Sequence, residues 1–455
     1  MLYLIRHFPD NFQFHGNFRR TTPPLEEIFL CPQHGFLSRT GGKDTVPVNL
    51  DDAFIPMIKI PAFQNADYRH LWAGAAFNQQ GMSGEQVVLG LLIFQVTEST
   101  AWVGIMLAVY FLPFFVFGIV SGAVADRLDR RSLLRRIEAL IIANMMTLVV
   151  LLAMNLAALW IILTFALTSG TLRALHQPAR MSYAYDIVGG DQVVQGLGLL
   201  NLGSRTGQLI GALTAGAVME RFGGSAAILV LAISHGVALI FFLRLRTAGK
   251  AAMNEHAPMR QNIAEFATEL RKNRVLLMLL AVTASVEIFG FSFATALPEL
   301  ATTRLNLGAD GLGMLHAARA VGGMAAGLAL TFMAAFHRRG LAYIGVIFAF
   351  GASLMLLSFA SSLAVTLAAV AIVAIAAAAS DILTQSMMQL AVPNELRGRA
   401  MGVWVLAVGF GPVGHLEMGS LAASIGVGAA LFANGAALLI IGVIVIIATP
   451  RLRQL

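Results

Sequence analysis

Six ionisable side chains interrupt long apolar runs in this 455-residue chain: Glu85, Arg205, Glu287, Arg319, Asp381 and Glu417. A charge at the centre of a membrane helix costs about 2.5–3.5 kcal/mol on insertion scales, so such residues face a bundle interior or a wet cavity. Two kinds of chemistry are open to them there: pairing that locks helices together, and a cavity that binds substrate or protons. His235 and His415 read as packing or polar-interface residues, and Met145, Met146, Met387 and Met388 as core or cavity lining. The chain carries no Walker motif, metal-ligand spacing or nucleophile elbow. ATP-driven transport and catalysis are therefore not expected, and neither is a metal or cofactor.

The elements that would hold these charges are legible from composition. Hydrophobic residues make up 57% of the chain, charged residues only 12%, and the mean hydropathy is +0.75. A soluble domain carries about 25% charged residues. The apolar residues fall into runs at about 71–95, 101–125, 134–154, 156–176, 194–219, 224–243, 275–298, 311–335, 341–360, 363–386, 400–422 and 427–449. Runs of ~20–25 residues cross a ~30 Å hydrocarbon core as helices, because lipid offers an isolated segment no other way to satisfy its backbone. The expected fold is an all-α polytopic membrane protein with twelve transmembrane helices, and no segment reads as an alternating strand.

Charge then sets orientation. The net charge is +7, from 31 Lys plus Arg against 24 Asp plus Glu. The basic residues alternate with the loops. Arg69, the Arg127–Arg136 cluster, Arg173, Arg180, the Arg244–Arg274 stretch, Arg338, Arg339, Arg397, Arg399, Arg451 and Arg453 fall on one side, and only Arg221 and Arg304 on the other. This positive-inside asymmetry makes both termini cytoplasmic, in a cytoplasmic (inner) membrane, and it excludes nucleic acid as the reason for the basic charge. The one cysteine, Cys31, excludes an internal disulfide. Residues 1–62 form a polar extension without a signal-peptide core, read as a disordered tail or as sequence upstream of a start at Met57.

The chain also repeats itself. "GALTAGAVMERFG" holds Gly211, Gly216 and Gly223, and "GHLEMGSLAASIG" holds Gly414, Gly419 and Gly426 at the same spacing, 203 residues on. Gly104 matches Gly313, and Arg130 matches Arg339, at an offset of 209. Two matches at nearly equal offsets predict two pseudo-symmetric six-helix bundles of the same topology. The expected domains are 63–244 and 274–449, joined by a cytoplasmic linker at 245–273 and followed by a tail at 450–455. Glu85 and Glu287 stand 202 residues apart, which favours one central cavity shared by both halves.

Between the second and third runs lies "GAVADRLDRR", in which Gly122, Asp126, Arg127, Arg130 and Arg131 occur. It resembles the Gly-x-x-x-Asp-Arg-x-x-Arg-Arg signature of the major facilitator superfamily. "ADYRHLWAG", "LHQPAR" and "VPNELRGRAMG" are similar to the branch of enterobactin exporters and drug and macrolide efflux proteins. The resemblance covers roughly residues 63–449. It implies a latch in which the Asp126 carboxylate faces the N-terminus of helix 11, near Arg399 to Gly402, and closes the cytoplasmic side. The second half has lost the matching aspartate and keeps only His337 to Arg339.

Gly203, Gly207 and Gly211, with Gly411, Pro412 and Gly414 in the second half, form a helix-packing motif. Its first part resembles the superfamily's antiporter motif, with Gln208 and Ala212 replacing the proline and last glycine. Small-residue packing accounts for the same spacing. Span 4 reads as lacking the intramembrane arginine of many proton-driven drug antiporters. In the fold the resemblance implies, spans 1 and 5 are neighbours, and Glu85 and Arg205 lie at depths within ~5 Å of each other. The expected ion pair is therefore Glu85 with Arg205.

The resulting expectation is a secondary active transporter: a proton-coupled exporter of amphipathic small molecules, siderophore or drug, by alternating access. Its partners would be the small-molecule substrate, protons and membrane lipids, and the working unit a monomer. An importer or facilitator on the same scaffold, or a transport-dead membrane sensor, are the alternatives.

Overall fold

The computed structural model describes residues 28–30, 37–39, 61–156, 158–189, 192–249, 273–332, 339–391 and 397–448. Residues 28–30, 37–39, 61, 117–127, 193–194, 331–332, 339, 397–402 and 448 are described by backbone alone. The chain divides into two compact units, Met1–Ile60 and Pro61–Leu455. In the first, β1 (Ile28–Leu30) pairs antiparallel with β2 (Leu37–Arg39), Ile28 opposite Arg39. No strand was expected anywhere. A three-residue ladder is too short for alternation to stand out in the sequence.

The second unit is helical. Its helices are α1 (Ala66–Thr97), α2 (Thr100–Arg127), α3 (Arg130–Ala153), α4 (Leu159–Val188), α5 (Val193–Leu243), α6 (Arg274–Phe289), α7 (Ala309–Phe332), α8 (Arg339–Ser358), α9 (Leu363–Leu390), α10 (Arg397–Val408), α11 (Gly411–Ile425) and α12 (Val427–Ala448). Side chains start several of them. The Asn65 carboxamide oxygen accepts from the Asp67 amide at 2.9 Å, Asp129 from Ser132 at 3.2 Å, and Asn273 from Leu276 at 3.1 Å. Eight helices among the described residues are long and apolar enough to cross a membrane, and Thr100–Val116 is a shorter apolar stretch. Outward faces carry large apolar side chains, with Trp160, Phe222 and Ile447 each at least 70% exposed. An exposed apolar girdle of this kind suits lipid and not water.

Three boundaries differ from expectation, each for a local reason. Helix α4 runs to Val188, twelve residues past the expected end, because its polar residues point inward. Helix α6 ends at Gly290 and continues as a tighter 3₁₀ turn, Phe291–Ala296, then a wider π turn, Leu300–Arg304. Span 11 is broken between α10 and α11, where Pro412 occupies the first turn of the new helix.

The repeat glycines perform the same tasks in both halves. Gly223 (φ 82°) breaks α5 into two antiparallel arms, and Gly426 (φ 84°) turns α11 into α12. Only glycine adopts that left-handed backbone without strain. Gly211 lies against the Gln80 backbone of α1, and a β-carbon on Gly414 would stand 2.6 Å from the Ile288 carbonyl oxygen of α6.

Gly216 and Gly419 bring the two halves into contact. A β-carbon on Gly216 would sit 2.6 Å from the Ala309 carbonyl oxygen and 3.0 Å from Cα of Gly313. One on Gly419 would sit 3.0 Å from the Thr100 carbonyl oxygen and 3.1 Å from Cα of Gly104. Exchanging the halves carries one contact onto the other. Helix α5 thereby packs on α7, and α11 on α2, at the far end of the bundle, opposite the near end where α1 begins.

Candidate functional site

A cavity of about 640 Å³ opens between the halves, walled by Phe111, Phe114 and Gln86 on one side and Phe291, Trp404 and His415 on the other. It is largely apolar with a few charges, the usual build of a small-molecule site. Four of the six ionisable residues singled out above line it: Arg205 of α5, Glu287 of α6, Arg319 of α7 and Asp381 of α9. The Trp404 indole donates to Asp381 Oδ1 at 2.8 Å, and the Gln385 amide donates to Oδ2 at 3.1 Å. Arg319 stacks over the Phe293 ring at 5.8 Å.

Glu85 is elsewhere. It is fully buried behind the cavity wall that Met82 and Gln86 form, and it is paired with Arg173 of α4. The expected partner, Arg205, instead donates to Gln208 of its own helix at 3.2 Å. The reading of span 4 as lacking an arginine is corrected by the same pair. Arg173 and Arg180 had been assigned to a cytoplasmic loop, because with His176 and Pro178 they end the apolar run. Both are buried in α4, so they drop out of the orientation count. Arg173 is also within cation–π range of Tyr110, at 5.2 Å. Glu417 is the second correction: it faces α12, where Asn434 donates to it at 3.1 Å, and takes no part in the cavity lining.

The sequence reading overlooked a buried polar knot one turn from the pair. The Glu138 carboxylate of α3 accepts from Asn78 Nδ2 at 2.8 Å. His235 Nδ1 lies 2.7 Å away and His176 Nε2 3.4 Å away. Four helix segments meet there: α1, α3, α4 and the second arm of α5. The signal was available, since Arg173, His176 and Arg180 are spaced to share one face of a helix.

At the near end the signature residues are partly in view. Arg130 pairs with Asp186 at 2.8 Å, tying the start of α3 to the end of α4. Arg131 donates to the Arg246 carbonyl at 2.8 Å, and Arg135 donates to the Phe242, Leu243 and Leu245 carbonyls. A cation there complements the negative end of the α5 second arm. Asp67 accepts from the Arg246 and Thr247 amides at 3.1 and 2.6 Å. Gly249 donates to Asp129 at 3.0 Å.

Burial works to raise the Asp129 carboxyl, but the Ser132 and Gly249 hydrogen bonds and the Arg131 charge hold it below its usual value. Gly122, Asp126 and Arg127 lie on α2, and the side chains of Asp126 and Arg127 are outside the described residues, as are those of the α10 N-terminus. The linker from residue 250 to 272 is outside them too.

At the far end, carboxylates meet the first residues of helices from the opposite half. Glu220 of α5 accepts from the Ala309 amide at 2.6 Å, and Thr100 donates to Glu299. Thr100 and Ala309 open α2 and α7 and are related by the repeat offset of 209. A carboxylate at a helix N-terminus is favoured by the macrodipole.

Comparison with known proteins gives this arrangement a family. The description "transmembrane secretion effector" matches residues 59–454. The chain belongs to this family of major facilitator transporters. It is 21% identical over 344 residues to the staphyloferrin A transporter of Staphylococcus aureus, covering 73% of this chain and 84% of that one. It is 30% identical over 145 residues to the multidrug efflux pump Tap of Mycolicibacterium fortuitum, covering 32% of this chain and 35% of that one.

Solved transporters share the fold. The peptide transporter POT matches with TM-score 0.69 at 15% identity, over 86% of this chain and 95% of that one. The nucleoside transporter NupG matches with TM-score 0.67 at 11% identity, over 84% and 99%. The chain is thus a multi-pass membrane transporter of major facilitator type, all-helical from Pro61 through its described residues, with two pseudo-symmetric halves.

Proposed function

We propose that this protein is a secondary active exporter that exchanges protons for an amphipathic small molecule across a cytoplasmic membrane, by alternating access. The observation that carries the proposal is the buried ion pair of Glu85 and Arg173, one helix face behind the cavity. Arginine stays charged under all working conditions, so a proton can act on this pair only through the carboxylate. Protonating Glu85 releases Arg173 from α1, a switch between two packings of the first half. The cavity's aromatic walls suit an amphipathic cargo, and the names of the two sequence relatives, a siderophore transporter and a drug efflux pump, support that class.

In this reading the bundles are 63–244 and 274–449, with the linker at 245–273 between them. The near end is cytoplasmic because Arg69, Arg130, Arg131, Arg135, Arg136, Arg244, Arg246 and Arg274 gather there. Twelve crossings then put both termini inside. The Gly216–Gly313 and Gly104–Gly419 contacts close the external side, so the cavity is accessible from the cytoplasm. Asp126 serves as the cytoplasmic latch on helix 11 in the opposite state. The working unit is a monomer, and the second reading is an importer on the same scaffold.

Transport by inverted membrane vesicles under an imposed pH gradient, screened against a panel of siderophores and amphipathic drugs, tests the proposal. Gradient-dependent accumulation of at least one compound, absent from vesicles lacking the protein, is the expected result. Movement only in the opposite direction would favour the importer.

A further inference from the structure

We propose that the cargo carries an oxyanion, a carboxylate or phosphate group, held between Arg205 and Arg319. This rests on reading the cavity as the cargo site. The two arginines come from different halves and converge on one face of α7. Arg205 crosses from α5 and lays its guanidinium over Gly323, where a β-carbon would meet Nη1 at 3.1 Å and Cζ at 3.2 Å. Gly323 is one helical turn beyond Arg319 on the same face, so the Arg205 head lies about 6 Å from the Cβ of Arg319. The Arg205 charge is felt at Arg319.

Two like charges in a partly desolvated cavity repel, and two other buried arginines are instead paired with carboxylates. Arg173 holds Glu85, and Arg130 holds Asp186 at 2.8 Å. Arg205 and Arg319 have no carboxylate of a described residue within ion-pair distance. Asp381 is within electrostatic reach of Arg205, but its oxygens are taken by Trp404 and Gln385. Glu287 is within reach of Arg319 and is almost fully buried. His316, one turn before Arg319, and His415 of α11 complete the ionisable wall.

The two acids balance the arginines at a distance and leave the guanidinium donors, apart from the Arg205 N–H given to Gln208, facing the cavity. Each guanidinium presents a planar fork of N–H donors that matches an oxyanion. A cation would have to compete for a carboxylate already engaged or buried. An oxyanion between the forks would relieve their repulsion and touch both halves at once, so its binding would depend on which state the halves adopt.

The test uses the full chain in lipid nanodiscs, with citrate, succinate, inorganic phosphate, the trimethyl ester of citrate and tetraphenylphosphonium as probes. Thermal stabilisation and quenching of Trp404 fluorescence are the readouts. At least one oxyanion is expected to bind, while the ester does not. Arg205→Gln and Arg319→Gln are each expected to weaken that binding at least tenfold, and exposed Arg136→Gln to leave it unchanged. Gly323→Val, which displaces the flexible Arg205 head, is expected to weaken it too and covers the case in which an arginine variant fails to fold.

Binding of tetraphenylphosphonium alone, of no oxyanion, or of oxyanions insensitive to all three variants would overturn the inference. Gradient-driven export without oxyanion binding would sink it while sparing the transporter reading. Oxyanion binding without any gradient-driven transport would do the reverse.

Discussion

Glu85 of α1 and Arg173 of α4 meet carboxylate to guanidinium with both side chains essentially excluded from solvent. Removing one member strands the other's charge in a low-dielectric interior, at a cost of about 3–5 kcal/mol. Arg173→Ala should therefore unfold at a markedly lower temperature than the parent protein. The neutral pair Glu85→Gln with Arg173→Gln should recover part of the loss. Thermal unfolding in detergent decides this, and losses that simply add in the double variant would show that the two residues act independently.

Glu138 has three nitrogen partners on three helix segments, and replacing it by alanine leaves buried donors unmatched. Each such group costs about 1–3 kcal/mol. Glu138→Ala is expected to be destabilised by about 3 kcal/mol, and Glu138→Gln, which keeps an acceptor for Asn78 and turns an NH2 donor toward His235 Nδ1 in its other tautomer, by less than half as much. Equal melting temperatures for the two variants would rule out the hydrogen-bonded knot as the cause.

At the far end, leucine at Gly216 must push α7 away from α5, because the nearest atoms belong to backbone. Overpacking of this kind costs about 1–3 kcal/mol. In a Cys31→Ser background, a cysteine at Phe111 in the cavity wall should be silent to an impermeant thiol reagent added outside. Adding Gly216→Leu should raise its labelling several-fold and cut transport at least tenfold. Labelling that does not change would mean that the glycine contact is no seal.

Asp129 begins α3 and anchors Gly249, and its carboxyl titrates below the ordinary value of 3.8 in the folded protein. A depressed folded value means that the stabilisation is complete above the unfolded value and is lost as pH falls through the folded one. Asp129→Ala is expected to cost about 1 kcal/mol at neutral pH, the usual value of a helix cap. The melting temperatures of the two proteins should converge in acid. A gap that persisted unchanged at low pH would assign the effect to packing.

The fold was readable wherever side-chain polarity followed lipid exposure. Gly216, Gly223, Gly419 and Gly426 were found from spacing alone, because a close helix crossing and a positive-φ turn admit no other residue. The cavity charges Arg205, Glu287, Arg319 and Asp381 were found because lipid penalises them anywhere else.

The misreadings have one origin. In α4, Arg173 and His176 meet acids on other helices and Arg180 is buried one turn on, and hydropathy counts such polar residues as loop. Which arginine reaches Glu85 was likewise not written in depth along the membrane. Arg173 and Arg205 have similar reach, and the choice is made by the sideways packing of α4 and α5 around α1, which no linear count contains.

Glu85→Gln in inverted vesicles tests the central claim most directly, by comparing two transport modes of one cargo. With the carboxyl permanently neutral, Arg173 is released whatever the pH, so the proton gradient has nothing to act on at this site. Uphill accumulation should fall to the background of vesicles lacking the protein, while exchange of labelled for unlabelled cargo, which needs only the rocking of the two halves, should persist. A well-expressed Glu85→Gln protein that still accumulates cargo uphill with the parental pH dependence would contradict the account.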